Sequence, residues 1–108
     1  MGVSYFKIKQ YKSALYYLDL ANNNSDSEIL HYLGASFYEL EKYSKAIRSF
    51  KKSLIINPKN EYTIYALGQA YIESDNKRDA KRQLKALMNL NQDLFELLKV
   101  SFDAKFED

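Results

Sequence analysis

The hydrophobic residues in the middle of the chain recur every three or four positions, which is the spacing of one face of an α-helix. The first stripe predicts a helix over residues 27–40 and comprises Ile29, Leu30, Leu33, Gly34 and Phe37. The second predicts a helix over 43–56 and comprises Tyr43, Ala46, Ile47, Phe50 and Leu54. A short polar break separates the two helices, and Pro58 ends the second because proline cannot continue a helix. Residues 27–60 are therefore predicted to form a helical hairpin.

The same pattern returns one hairpin later. Leu33-Gly34 and Leu67-Gly68 lie 34 residues apart, and a fixed period in this range indicates stacked supersecondary units. Further helices are expected over 61–73 and 76–90. In the middle hairpin, Gly34 and Ala46 predict the closest approach of the two helices, since larger side chains would hold them apart.

The two ends of the chain extend the pattern less completely. Before Ser27, several residues match residues of the middle hairpin that lie 32 positions later. They predict helices over 2–8 and 11–22, so the first hairpin is incomplete. Ser25 with Glu28 resembles a capping box at the start of the middle hairpin. Asp93 with Glu96 predicts the start of a final capping helix over 93–105. We expect an all-α solenoid in one domain over 1–108, with units at about 1–26 (partial), 27–60 and 61–92.

These motifs resemble tetratricopeptide repeats. The resemblance covers nearly the whole chain and is most specific in the middle unit, where it rests on Leu33-Gly34, Phe37, Ala46, Phe50 and Pro58. The tryptophan usual near the start of each unit is absent here. The resemblance implies a right-handed superhelix in which the first helix of each pair lines a concave groove and the second forms the convex back.

The groove implied by this resemblance has an aromatic lining with a polar rim. The predicted binding residues are Phe6, His31, Tyr32, Tyr38, Tyr62, Tyr65 and Gln69. Other positions on the same faces are Glu28, Ala35, Glu39, Ala66, Ile72 and Glu73. Tyrosine supplies a large contact area and a hydroxyl group, which makes it common at binding hot spots. Tyr11, Tyr43 and Tyr71 are instead assigned to packing between helices.

One branch of the family holds the C-terminal carboxylate of chaperone tails with a clamp of Lys, Asn and Arg side chains. Here the first clamp position would fall before Met1. The other matching positions are Val3, Tyr32, Tyr62 and Ala66. None of these side chains can hold a carboxylate as the clamp does. Beginning the comparison one unit later gives His31 and Ala35, which fit no better, so a chaperone tail is not the expected partner.

Composition excludes several kinds of chemistry. The chain has no cysteine and a formal net charge of only +2, and its sequence contains neither a glycine-rich phosphate loop nor a zinc-ligand spacing. His31 is its only histidine, and a lone histidine on a helix is usually a polar packing residue. No apolar run approaches the length of a membrane span. We therefore expect a protein or peptide partner, no cofactor, no metal and no enzymatic activity.

Two alternatives to groove binding remain open. A basic patch on one helix could contact an anionic surface or nucleic acid, and comprises Lys77, Arg78, Lys81, Arg82 and Lys85. No aromatic side chain lies among these cations, so a base-stacking platform is missing and nucleic acid is the less favoured ligand. The second alternative is self-assembly. Tyr5, Phe6 and Ile8 lack a preceding helix to cover them, which predicts either a homo-oligomer formed through this N-terminal edge or a segment of a longer array.

Overall fold

The protein is described by a computed structural model over residues 10–21 and 26–106. In these ranges the regular elements are all α-helices, which confirms the all-α prediction. The six helices are α1 (Tyr11–Ala21), α2 (Ser27–Glu39), α3 (Tyr43–Ile56), α4 (Glu61–Glu73), α5 (Lys77–Leu90) and α6 (Gln92–Phe106). The pairs α2–α3 and α4–α5 are the two predicted complete hairpins, and α6 packs against both α4 and α5.

Three helix starts are capped by an aspartate or asparagine side chain. The Asp26 carboxylate accepts from the N–H groups of Glu28 and Ile29, and the Asn60 side chain accepts from that of Tyr62. Asn91 Oδ1 accepts from Leu94 N–H at 3.1 Å at the start of α6. Each cap satisfies an N–H group that the first turn leaves without a helical partner. Asp26 and Asn91 are therefore the caps, and the predictions of Ser25 and Asp93 for these roles were wrong.

The turns inside the two hairpins share one backbone conformation. Glu41 and Asp75, which are 34 residues apart, have left-handed φ angles of 61° and 64°. At each turn the N–H group of the next residue donates back to the last turn of the preceding helix, from Lys42 to Phe37 O and from Asn76 to Tyr71 O, both at 2.8 Å. These are the hydrogen bonds of a Schellman motif. The repeat is thus visible in the backbone as well as in the side chains.

Both repeat glycines lie where another side chain presses on the helix. A Cβ atom at Gly34 would lie 2.7 Å from the Phe50 ring, and one at Gly68 would lie 2.5 Å from Leu98 Cδ2. The close approach predicted at Gly34 is confirmed, and the nearest neighbour there is the Phe50 side chain on α3. A side chain at either position would therefore force its neighbour to shift, Phe50 on α3 at Gly34 and Leu98 on α6 at Gly68.

The buried residues form two clusters along the stack. The smaller comprises Ala14, Leu18, Leu30 and Leu33 and joins α1 to α2. The larger runs from α3 to α6 and includes Phe50, Ile64, Leu67, Leu87, Leu98 and Phe102. Tyr71 is 6% exposed, which confirms its assignment to packing. Ile72 is 1% exposed, and its predicted place in the groove was wrong because it belongs to the larger cluster.

Some predictions concern residues outside the described ranges. These include the helix over 2–8, the binding role of Phe6 and the N-terminal edge formed by Tyr5, Phe6 and Ile8. Among the helices of the described ranges, none has the length and apolar character needed to cross a membrane.

Candidate functional site

Apart from Phe6, which lies outside the described residues, the predicted binding residues lie on α2 and α4, the first helices of the two complete hairpins. The structure brings them together as two neighbouring clefts rather than one continuous lining. His31, Tyr32 and Tyr62 line the first, which we call the histidine cleft. Tyr38, Tyr65 and Gln69 line the second, which we call the tyrosine cleft. Tyr32 and Tyr65, which were expected to act together, therefore line different clefts.

The histidine cleft has a volume of about 480 Å³ and a polar mouth. Its remaining lining residues are Ser27, Glu28, Asn57 and Asn60. Tyr62 is the most open of the predicted residues in it, at 64% exposed. The cleft lies beside the N-terminal ends of α2 and α4, where Asp26 and Asn60 form their caps. It offers a ligand mainly hydrogen-bonding groups.

His31 links the two groove helices. Its Nδ1 atom is hydrogen bonded to Thr63 Oγ1 across the α2–α4 interface at 2.9 Å. Its ring centroid lies 5.4 Å from that of Tyr32 and 5.6 Å from that of Phe50. Burial lowers the pKa of His31, and the nearby Glu28 carboxylate opposes this with a smaller effect. His31 is therefore a packing residue with one edge in the cleft.

The tyrosine cleft is smaller and more apolar. It has a volume of about 170 Å³, and Tyr38 and Tyr65 are the aromatic residues contributed by α2 and α4. The other lining residues are Ala35, Glu39, Phe50, Ala66 and Gln69. The two alanines keep the cleft open because they place no bulk between the tyrosines. A recess of this kind can accept an apolar side chain.

Hydrogen bonds and neighbouring charges fix the polar groups of the tyrosine cleft. Gln69 Nε2 donates to the Tyr65 hydroxyl at 2.8 Å and to Ser101 Oγ on α6 at 3.2 Å. Both amide hydrogens of Gln69 are thus used inside the protein, which leaves its carbonyl oxygen for a ligand. Burial, followed by the Glu73 carboxylate and smaller contributions from other neighbours, raises the pKa of Tyr38 to about 12. Tyr38 therefore keeps its proton and can donate a hydrogen bond.

Sequence reasoning missed Thr63, Phe50 and Ser101 as parts of this arrangement. Thr63 is buried and holds His31, Phe50 lines the tyrosine cleft from α3, and Ser101 anchors Gln69. Thr63 lies in the first turn of α4, where a polar residue is common, so the sequence did not single it out. Phe50 gave no signal beyond core packing.

Charge divides sharply between the first and second helices. The two first helices, α2 and α4, together carry four Glu and no Lys or Arg. The two second helices, α3 and α5, together carry nine Lys and Arg and a single acid, Asp79. Glu39 and Glu73, which lie at equivalent positions of their units, form no ion pair within the described residues. The groove side is therefore acidic and the opposite side is basic.

The predicted basic patch is a single-helix surface. All five of its residues are exposed on α5. Lys77 Nζ lies 5.9 Å from the centroid of the Phe106 ring, and Arg82 pairs with Asp79 at 3.5 Å. The residues that line this surface all belong to α5. An exposed stripe of this kind attracts anions through its summed charge rather than through a built pocket. In the described parts of the chain, no three His, Cys, Asp or Glu side chains converge as a metal ion would require.

Comparison with known proteins agrees with this geometry. A family model for the tetratricopeptide repeat matches residues 37–99. The chain therefore belongs to the tetratricopeptide repeat family, whose members are helical solenoids and typically act as protein-interaction modules without enzymatic activity.

Two relatives illustrate the range of proteins that contain similar units. The BBSome complex member BBS4 homolog of Drosophila melanogaster is 32% identical over 78 residues, which are 71% of this chain and 16% of that protein. The Hsp90 co-chaperone Cns1 from Saccharomyces cerevisiae has 26% sequence identity and superposes with a TM-score of 0.80 over 96% of this chain and 36% of its own. This chain thus spans well under half of either relative.

Proposed function

We propose that the protein recognises a segment of another protein in the groove between α2 and α4, and that it carries out no chemistry there. The observation that supports this most directly is the tyrosine cleft, a recess lined by Tyr38 and Tyr65 with alanines beside them. Amphipathic helices and extended peptides commonly bind by inserting apolar side chains into such recesses.

The chemistry of the groove defines the kind of segment that fits. The tyrosine cleft accepts one apolar side chain, such as that of leucine or methionine. Glu39 and Glu73 lie beside it without an ion-pair partner among the described residues. A Lys or Arg near the apolar residue of the ligand would pair with them, since complementary charge guides association and fixes register. The proposed ligand is therefore a segment with an apolar anchor and an adjacent cation.

The same groove is poorly suited to an acidic C-terminal tail. Tyr32, Tyr62 and Ala66 occupy the positions where the carboxylate-clamp branch of the family has cationic or amide side chains. The helices α2 and α4 carry no Lys or Arg. The similarity to an Hsp90 co-chaperone therefore supports the fold of this chain, and we propose that its ligand differs from a chaperone tail.

Selection from a random peptide display library on the immobilised protein tests the proposal. We expect the selected peptides to share a Leu, Ile or Met close to a Lys or Arg. Their affinity, measured by fluorescence anisotropy, should fall about thirtyfold in the double variant Tyr32→Ala, Tyr65→Ala, which truncates one tyrosine in each cleft. Circular dichroism should show unchanged helicity.

The matched control reverses charge on the opposite side of the molecule. The triple variant Lys81→Glu, Arg82→Glu, Lys85→Glu should leave binding of the selected peptides nearly unchanged. Failure to select peptides that combine an apolar residue with a Lys or Arg, or loss of their binding in the triple variant with retention in the tyrosine variant, would contradict binding in the groove between α2 and α4.

A further inference from the structure

A second groove lies on the basic side of the molecule, between the second helices α3 and α5. It has a volume of about 400 Å³, and its lining residues are Lys51, Leu54, Ile55, Leu67, Tyr71, Asp79, Arg82 and Gln83. We call it the second-helix groove. It shares no lining residue with the histidine cleft or the tyrosine cleft.

The floor of the second-helix groove is apolar, and so is one of its edges. Leu67 and Tyr71, contributed by α4, are only 3% and 6% exposed, so they close the bottom. Ile55 at the edge is 79% exposed. Because Ile55 is so exposed, the fold buries little of its side chain. A ligand that covered Ile55 would remove this apolar area from water. The groove therefore offers an apolar contact that the protein itself does not use.

The rim of the second-helix groove is positively charged. Lys51 from α3 and Arg82 from α5 line it together. Asp79 is its only acid and lies 3.5 Å from the Arg82 guanidinium, with their side chains 38% and 69% exposed. An ion pair this open to solvent is weak. The other cations of α5 lie on the same helix as Arg82, so the field over the groove stays positive.

We propose that the second-helix groove binds an acidic segment of a partner protein, which places an apolar side chain against Ile55 and its carboxylates beside Lys51 and Arg82. The charge of the rim selects the sign of the ligand, and the exposed apolar edge at Ile55 selects a peptide with an apolar side chain over other polyanions. Nucleic acid would need an aromatic face for its bases, and Tyr71, the groove's only aromatic residue, is buried. A membrane is flat and would not reach the floor. This site is independent of the groove between α2 and α4.

The experiment uses defined probes. A short fluorescent peptide of Asp and Glu with a central Leu is titrated with the protein at low ionic strength, beside the same peptide with Ser in place of Leu. Single-stranded poly(U) and phosphatidylserine-containing vesicles are the competing probes. We expect the Leu peptide to bind about tenfold more tightly than the Ser peptide, because the leucine is buried on binding.

Neighbouring residues provide matched variants. Ile55→Ser and Lys51→Glu alter the second-helix groove, whereas Ile56→Ser and Lys52→Glu make the same changes next to it, outside the lining. Ile55→Ser should remove the preference for the Leu peptide, and Ile56→Ser should keep it. Lys51→Glu should weaken binding more than Lys52→Glu. Because all four residues are exposed, none of these changes should unfold the protein.

Several outcomes would overturn the inference. Equal binding of the Leu and Ser peptides, or equal effects within each pair of variants, would mean that the basic side attracts anions without a groove. Binding of poly(U) or vesicles but not of the peptide would assign this face to nucleic acid or to a membrane. If none of the probes bound, the groove would not be a site for acidic peptides. The double variant Tyr32→Ala, Tyr65→Ala should bind the Leu peptide normally, which separates this test from that of the proposed function.

Discussion

Ser36 shows how a single polar atom can limit stability. Its hydroxyl group is fully buried in α2 and has no hydrogen-bond partner within the described residues. The equivalent residue of the next unit, 34 positions later, is Ala70, which is also fully buried. The repeat therefore accommodates alanine at this place, and the serine adds a polar group whose burial is not compensated.

We expect Ser36→Ala to stabilise the protein by about 1 kcal/mol, because it removes an unsatisfied buried hydroxyl group. Urea unfolding monitored by circular dichroism would measure the change. The control is Ser53→Ala, since Ser53 is equally buried but donates to Ser27 O at 2.7 Å. That variant should lose about 1 kcal/mol because it removes this hydrogen bond between α3 and α2. A loss of stability in both variants would mean that the Ser36 hydroxyl has a partner.

His31 makes the stability of the fold depend on pH. Because burial lowers its pKa in the folded protein below the ordinary value of 6.5, the folded state favours the neutral imidazole. Its contribution is fully present above pH 6.5 and is lost as the pH falls through the lower folded pKa. The wild type should therefore lose more stability than His31→Gln in this acidic range. Chemical unfolding across pH measures this difference, and parallel curves would contradict it.

At the scale of the helices, the sequence predicted nearly all that the structure describes. The predicted bounds of α3 and α4 agree with the structure, because hydrophobic spacing determines where a helix packs. Caps were less predictable. The polar run before α2 offers five consecutive Asn, Ser or Asp residues, each chemically able to cap, and only the path of the backbone selects Asp26. The start of α6 posed the same problem, with Asn91 and Asp93 both suitable.

The turn between α2 and α3 allows a test of how one of these helices ends. Glu41 adopts a φ of 61°, a conformation that costs a residue with a Cβ atom roughly 1 kcal/mol but costs glycine almost nothing. Glu41→Gly should therefore raise the free energy of unfolding by up to about 1 kcal/mol. Lys42→Gly, at a φ of −95°, should lower it, because there glycine only adds freedom to the unfolded chain. Differential scanning calorimetry would show opposite shifts in Tm, and equal shifts would exclude this explanation.

At the scale of the whole molecule, the sequence indicated which helices line the groove but not how their side chains group. Helical spacing assigns Tyr32 and Tyr65 to the same side of the stack. It does not show that Tyr65 shares a cleft with Tyr38 while Tyr32 shares one with His31. That grouping depends on the rotation and offset between successive hairpins, which meet where His31 on α2 is hydrogen bonded to Thr63 on α4. Such long-range geometry leaves no periodic signal in the chain.

The division of the core into two clusters predicts that the stack opens unevenly. Within the described residues, the cluster that joins α1 to α2 contains four buried hydrophobic residues, whereas the cluster from α3 to α6 contains twelve. In a repeat stack each unit is stabilised mainly by its neighbours, so the smaller cluster should open first. We expect amide hydrogens of α1 to exchange with solvent faster than those of α4 in the native protein.

Two truncations of similarly buried leucines test this order. Leu18 lies in the smaller cluster and is 2% exposed, whereas Leu87 lies in the larger cluster and is fully buried. Either change to alanine removes the same atoms and costs about 2–5 kcal/mol at the packed site. Leu18→Ala should accelerate exchange in α1 and leave α5 protected, because the larger cluster does not depend on α1. Leu87→Ala should accelerate exchange throughout α3–α6. If both variants lowered protection equally along the chain, the two clusters would act as one cooperative unit.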